Sequence, residues 1–194
     1  MVYVDFISKL HKSSKRDYVA RVTESDKAES AEIAIQYGKD YWDGDRRYGY
    51  GGYKYDGRWK KIARKIFKFY KLKPDAKILQ IGCDKGFLLR DIKELYPKAK
   101  VKGIEISDYA IKSSDKSIRK YIKQNNFYQL PYKNNEFDFV IALGSVYSLS
   151  LIDAIKCLEE IKRVSKGKSF ITLASYTNIN DLMMFRYWTL LGTT

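Results

Sequence analysis

The stretch Lys77 to Ser107, KILQIGCDKGFLLRDIKELYPKAKVKGIEIS, constrains this chain more than any other. It opens with a short apolar run, Ile78 to Ile81, too brief for a helix and bounded by a glycine. The loop Gly82-Cys83-Asp84-Lys85-Gly86 follows. Next, Phe87, Leu88, Ile92 and Leu95 recur at helical spacing until Pro97 stops the pattern. A second apolar run, Val101 to Ile106, carries a single acid, Glu105. Strand, glycine loop, helix and strand in that order predict one βαβ unit with parallel strands. The turn after the first strand then lies at the carboxyl end of the sheet.

That turn predicts a binding site. Gly82 and Gly86 let the backbone bend and come close to a ligand, and the helix behind them offers free N–H groups and a partial positive charge. Glu105, about 20 residues beyond the loop, lies at the end of the next strand. There a carboxylate can accept hydrogen bonds from both hydroxyls of a ribose.

From residue 77 onward, strand and helix patterns alternate, which predicts an α/β fold with a parallel sheet between helices. Asp108 to Lys120 reads as a helix capped by Ser107 or Asp108, and Ile118 to Phe127 includes a short strand. Leu130 to Asp138 is rich in turn residues and leads into a strong apolar strand, Phe139 to Leu143. Leu149 to Val164 is amphipathic, Ser169 to Ser175 is a strand, and Ile179 to Leu191 closes with a helix. Five strands are legible.

Upstream, residues 1–40 read as helix. Phe6, Leu10, Val19 and Val22 form one pattern, and Lys27 to Tyr37 forms another that stops at Gly38. The segment Tyr41 to Trp59, YWDGDRRYGYGGYKYDGRW, has no period. Its aromatic density is too high for a linker, so it reads as an ordered loop, either a clasp on the domain or a lid over the site. Arg58 to Lys71 is an amphipathic helix with Trp59, Ile62, Ala63, Ile66, Phe67 and Tyr70 on one face. The expected division is a helical extension with an aromatic, Gly-rich lid over residues 1–57 and a core over residues 58–194.

Composition limits the choices further. At 194 residues, the chain is long enough to bury a real core. No apolar run approaches the roughly 20 residues that cross a bilayer, and no signal peptide is evident, so a cytoplasmic location is expected. Cys83 and Cys157 lie in unlike contexts, and with one histidine, His11, no zinc site of usual spacing can be built. The net charge of +14 has two readings. It fits an anionic partner, and it also fits the codon bias of an AT-rich genome, given the abundance of Lys, Tyr, Asn and Ile. Its densest part, Arg58 to Lys73, holds eight basic residues and no acid.

At KILQIGCDKGF the chain resembles the class I S-adenosylmethionine-dependent methyltransferases. Their first motif runs apolar strand, acid, x, Gly, x, Gly, x, Gly. It matches in register, but Gln80 stands where an acid is usual and Asp84 where the middle glycine is usual. The resemblance extends over roughly residues 57–175. GIEISDYAI resembles the second motif, and NNFYQLPYKNNEFDFVIALGSVYSL resembles the region through the fourth strand.

The resemblance implies a Rossmann-like methyltransferase core that binds S-adenosyl-L-methionine. In it, Gly82, Cys83, Asp84, Gly86 and Phe87 form the loop, Glu105 holds the ribose and Ile106 flanks the adenine. Asn126 holds the adenine amino group with Phe127 beside the ring, and Ala142, Leu143 and Gly144 lie by the methionine portion. Tyr147 stands where relatives often carry a histidine, with Ser145 as the neighbouring polar candidate. Tyr53 and Arg58 are placed to close over the cofactor.

The implied activity is methyl transfer to an O or N atom of a small metabolite, of anionic or sugar-like type. GYGGYKYDGRW resembles a subgroup associated with surface-polysaccharide and small-molecule methylation. The alternative is a basic methyltransferase-like module that binds RNA or a partner without catalysis. The family's sheet usually ends in two further, antiparallel strands that are not legible here. An uncovered apolar edge is therefore expected, with marginal stability or self-association through it.

Overall fold

The structure is a computed structural model and describes residues 4–7 and 23–188. Five parallel strands form one sheet in the order β3-β2-β1-β4-β5. They are β1 (Lys77–Ile81), β2 (Lys100–Glu105), β3 (Ile122–Gln124), β4 (Phe139–Ala142) and β5 (Ser169–Ile171). The chain runs outward from β1 to β3, then returns to β4 on the other side of β1. The reversal places the carboxyl ends of β1 and β4 side by side, where an open α/β sheet leaves a crevice.

The alternation of side chains along β1 and β4 divides the core into two layers. Ile78, Phe139 and Ile141 face one layer, while Leu79, Ile81, Val140 and Ala142 face the other. The first layer is covered by α3 (Trp59–Tyr70), through Ile62, Ile66 and Phe67, and by α4 (Phe87–Leu95), through Leu88, Leu89 and Ile92. The second is covered by α7 (Leu151–Val164), through Cys157, Ile161 and Val164. Both faces of β1 are thus buried, which is why its sequence is a continuous apolar run and not an alternating one.

Two shorter helices, α5 (Asp108–Ser113) and α6 (Lys116–Arg119), lie between β2 and β3. A continuous helix over 108–120 is expected from the sequence, but it breaks at Ser114. Ser114 is extended, and the Asp115 side chain accepts from the Ser117 N–H to start a new helix. Ser107 is the expected cap of α5, accepting from the Ala110 N–H. α7 begins at Leu151, not Leu149, because the Ser150 hydroxyl caps it through the Asp153 N–H.

The N-terminal segment departs most from expectation. Residues 4–7 are not helical. The Asp5 carboxylate accepts from the Ile7 N–H, and Phe6 packs edge-on against Phe69 and Phe170. Leu10, Val19 and Val22 lie outside the described residues. Helix α1 (Lys27–Ala34) ends before Tyr37, which takes a positive φ of 48°. Gly38, the expected stop, instead begins a five-residue helix, α2 (Lys39–Asp43), inside the stretch that showed no period. The final helix, α8, covers Ile179–Trp188. The expected extension to Leu191 lies outside the described residues.

At the far edge, β5 pairs only with β4 among the described residues. Leu173, Tyr176, Ile179, Met183 and Met184 beyond it are exposed.

Candidate functional site

The glycine loop joins β1 to α4 in a conformation set by three left-handed residues. Gly82, Asp84 and Gly86 have φ of 64°, 55° and 74°. A side chain on Gly82 would place its Cβ 2.5 Å from the Ser145 Cβ. One on Gly86 would come within 2.9 Å of Ile122 Cδ1. Asp84 takes the same backbone region, one that a short polar side chain tolerates. The loop is tied to β2 because the Gly82 and Cys83 N–H groups both donate to the Ile104 carbonyl.

Glu105 ends β2 beside this loop, at 3 % exposure. Its Oε2 accepts from the Asp84 N–H at 2.8 Å, and its Oε1 accepts from the Ile106 and Ser107 N–H groups at 2.9 Å. Burial pushes the Glu105 carboxyl above its ordinary range, and the three N–H donors limit the rise. Asp84 is half-buried. Burial first, and then the Glu105 charge, push it well above the usual carboxylate range, with a hydrogen bond from the Tyr53 hydroxyl at 3.3 Å opposing. Of the pair, Glu105 has the better-supported negative charge, and Asp84 takes up a proton more readily.

The aromatic stretch of the N-terminal segment roofs the loop. The Trp42 and Tyr50 rings stack at 5.1 Å, Tyr50 and Tyr53 meet at 4.7 Å, and Tyr53 lies over Phe87 at 4.9 Å. Trp42 Nε1 donates to the Ser107 hydroxyl, which in turn donates to the Tyr37 carbonyl. This knot explains the left-handed Tyr37.

A second tie is ionic. Lys85, 5 % exposed, donates to both Asp43 oxygens at 2.7 and 2.6 Å and to the Tyr53 carbonyl at 3.0 Å. The Tyr109 hydroxyl also donates to Asp43. Burial would raise the Asp43 carboxyl, but Lys85, the Tyr53 N–H and Tyr109 outweigh it and hold the group below its ordinary value.

The other expected residues fall around this centre with different roles. Ile106 is partly buried after Glu105. The Asn126 side-chain oxygen accepts from the Tyr128 N–H, and Phe127 is buried against Gly82. Ala142 ends β4 in the core, and Leu143 is partly buried behind it. The buried Ser145 hydroxyl donates to the Ile81 carbonyl at 3.0 Å, so it braces the loop. Tyr147 lies beside Gly144 and meets Phe185 edge-on. Burial, then the Asp84 charge, raise its hydroxyl pKa, so at neutral pH it is a hydrogen-bond donor and not a base. Arg58 does not offer its fork to the site: its Nε and Nη2 both engage Asp56.

Sequence reasoning missed Asp43, Lys85 and Tyr109. It also missed the placement of Trp42 and Tyr50. The only signal was the aromatic density of residues 41–59, which does not say where the rings go.

The site carries marks of the cofactor implied by the first motif. Gly82 and Gly86 leave a cradle that side chains would fill. Gln80, two residues before Gly82 and 4 % exposed, has an Oε1 without a hydrogen-bond partner. Neither Asp84 nor Glu105 forms an ion pair among the described residues, as suits a ligand that brings ribose hydroxyls and positive charge.

Comparison with known proteins agrees with this reading. Residues 79–173 match the family model described as Methyltransferase domain. The malonyl-[acyl-carrier protein] O-methyltransferase of Legionella pneumophila is 28 % identical over 133 residues, covering 65 % of this chain and 42 % of that protein. An uncharacterised protein of Rickettsia prowazekii is 29 % identical over 140 residues, covering 63 % and 56 %. The chain thus spans about half the length of the curated relatives it matches.

Among solved structures, a Methanococcus maripaludis protein with the provisional description S-adenosyl-L-methionine-dependent methyltransferase superposes with a TM-score of 0.51 at 16 % identity, covering 83 % of this chain and 66 % of that one. A protein from Pyrococcus horikoshii gives 0.50 at 19 %, covering 66 % and 58 %. These likenesses establish the fold. Residues 79–173 are thus similar to the methyltransferase domain, and the five-stranded parallel sheet that holds them has the Rossmann-like fold of these neighbours.

Proposed function

We propose that this chain binds S-adenosyl-L-methionine at the glycine loop and transfers its methyl group to an O or N atom of a small acceptor. The observation that carries this is Glu105: a buried carboxylate, fixed by three backbone N–H groups at the end of β2 and directly beside the Gly82–Gly86 turn. The backbone takes both lone pairs of Oε1 and one of Oε2, so Oε2 keeps an acceptor position for a ribose hydroxyl.

The cofactor, when bound, supplies an activated methyl group that needs only an aligned nucleophile. The chain's part is therefore mainly to bind, orient and exclude water. Asn126 would hold the adenine amino group, with Ile106 and Phe127 against the ring. Ala142 and Leu143 would lie by the methionine portion. The aromatic roof of Trp42, Tyr50 and Tyr53 would shut out solvent. Tyr147, protonated at neutral pH, would donate a hydrogen bond to the acceptor and orient it. Ser145 would keep Gly82 in place.

The acceptor in this proposal is a small anionic or sugar-like metabolite, such as a surface-polysaccharide precursor. Buried, unpaired Cys83 and Cys157 suit a reducing compartment, and we assign the chain to the cytoplasm. Among the described residues, no helix is long and apolar enough to cross a membrane. Exposed Leu173, Tyr176 and Met184 beside the β5 edge support self-association there.

A second reading rests on the basic face of α3, where Lys61, Arg64, Lys65, Lys68 and nearby Lys71 are exposed. It makes the chain an RNA-binding module without catalysis. Formation of S-adenosylhomocysteine, measured with sugar, carboxylate and RNA acceptors, separates the two. Turnover with a small acceptor, lost in Glu105→Gln, supports methyl transfer. Salt-sensitive RNA binding without cofactor binding supports the alternative.

A further inference from the structure

The two carboxylates of the site present an electrostatic problem that the chain does not solve by itself. Asp84 and Glu105 lie close enough for the charge of one to disfavour ionisation of the other. Burial makes a lone charge costly and a second like charge more so. Glu105 has three backbone donors to offset this cost, whereas Asp84 has one tyrosine hydroxyl at 3.3 Å. Lys85 follows Asp84 in sequence, but its ammonium is taken by Asp43 and the Tyr53 carbonyl. The Tyr41, Tyr50, Tyr53 and Tyr147 hydroxyls feel the Asp84 charge, and none carries positive charge. Gln80 adds a buried, unpartnered and neutral acceptor just before the loop.

We propose that Asp84 is the counter-charge for the positive end of the bound cofactor. It would stand in from the loop for the acid that β1 lacks at Gln80. This rests on the cofactor reading above and adds to it the residue that sets the site's preference for a cationic ligand. The positive charge on S-adenosyl-L-methionine lies on its ammonium and its sulfonium. Asp84 sits in the left-handed position of the loop, under a roof that limits water. An ion pair there gains strength from the low local dielectric. In the ligand-free site Asp84 therefore ionises only at a cost, which a bound cation offsets.

Calorimetry on the full chain tests this with three ligands and two proteins. S-adenosyl-L-methionine carries ammonium and sulfonium, S-adenosylhomocysteine keeps only the ammonium, and 5′-methylthioadenosine has neither. Asn tolerates the left-handed backbone, so Asp84→Asn removes the charge and keeps the shape. It should weaken S-adenosyl-L-methionine by about 10–100-fold, the worth of a hydrogen bond to a charged group, and leave methylthioadenosine unchanged.

An equal loss for S-adenosylhomocysteine assigns the partner as the ammonium; no loss there assigns the sulfonium. Ligand-free Asp84→Asn should also melt a few degrees above the wild type at neutral pH, because the cost of holding this carboxyl in the fold, ionised or protonated, has gone. Equal weakening of all three ligands, or unchanged binding of all three, overturns the proposal while leaving the cofactor site standing. If the wild-type chain binds none of them, the cofactor reading itself fails, and the role of Asp84 falls with it.

Discussion

The ion pair of Lys85 and Asp43 offers a sharp test of how the aromatic roof is held. Lys85 sits in the glycine loop with a side chain 7 % exposed, and Asp43, ending α2, has one 25 % exposed. Asp43→Ala leaves the ammonium with only the Tyr53 carbonyl, and it removes the acceptor of the Tyr109 hydroxyl and the Tyr53 N–H. Breaking a fully buried pair costs about 3–5 kcal/mol. Water reaches the Asp43 side of this one, so we expect about 2–3 kcal/mol. At about 2–4 °C per kcal/mol for a chain of this size, the melting temperature should fall by about 4–12 °C.

Lys85→Met removes the buried charge as well as the pair, and should cost less. The double variant should show a coupling of about 1.5 kcal/mol or more in urea unfolding. Hydrogen exchange over residues 41–57 should accelerate in Asp43→Ala. Because Asp43 titrates below its ordinary value in the fold, this contribution is present above about pH 4 and is lost as pH falls through the folded value. A coupling under about 0.5 kcal/mol, or unchanged exchange in the roof, would refute the claim that this pair fastens it.

Three other predictions follow from the same geometry. The stability gap between Asp84→Asn and the wild type should be near zero below about pH 4, where Asp84 is protonated folded and unfolded. It should open from about pH 4 upward, where only the unfolded chain ionises, and level off above the raised folded value, with Glu105 and the Tyr41, Tyr50, Tyr53 and Tyr147 hydroxyls facing the group; pH-dependent thermal melts measure it. Gly82→Ala drives a Cβ to 2.5 Å from Ser145 and keeps a left-handed φ. It should cost about 1–3 kcal/mol from overpacking and about 1 kcal/mol more from the backbone, read by urea denaturation. If the β5 edge associates, sedimentation should show dimers that Leu173→Lys dissociates, whereas a monomer at high concentration with a cooperative, high-temperature melt contradicts this.

The five strands, the parallel sheet and the layering of helices on it were legible because the determining features are local, whereas the strand order was not read from the sequence. Five apolar runs, the glycine turn and Glu105 each sit in an unbroken stretch of sequence. The roof was not, because its contacts join distant residues. Asp43 meets Lys85 and Tyr109, and Trp42 meets Ser107, across separations that no periodicity reports. Tyr37 takes the turn expected of Gly38 because tertiary hydrogen bonds to its carbonyl override local preference. Ser114 breaks a regular helical pattern because an Asp cap competes with it. Arg58, read as a fork for the site, finds Asp56 two residues away, a local pair that spacing alone did not favour. Ser145, read as a candidate for chemistry, holds the Ile81 carbonyl.

The account's central claim is that the turn between β1 and α4, with Glu105 beside it, binds S-adenosyl-L-methionine. Titration calorimetry of the full chain at neutral pH tests it directly. We predict one ligand per chain with micromolar affinity, abolished in Glu105→Ala while that variant keeps its far-ultraviolet circular dichroism. No heat of binding from a folded wild-type chain, or affinity unchanged in folded Glu105→Ala, would contradict it.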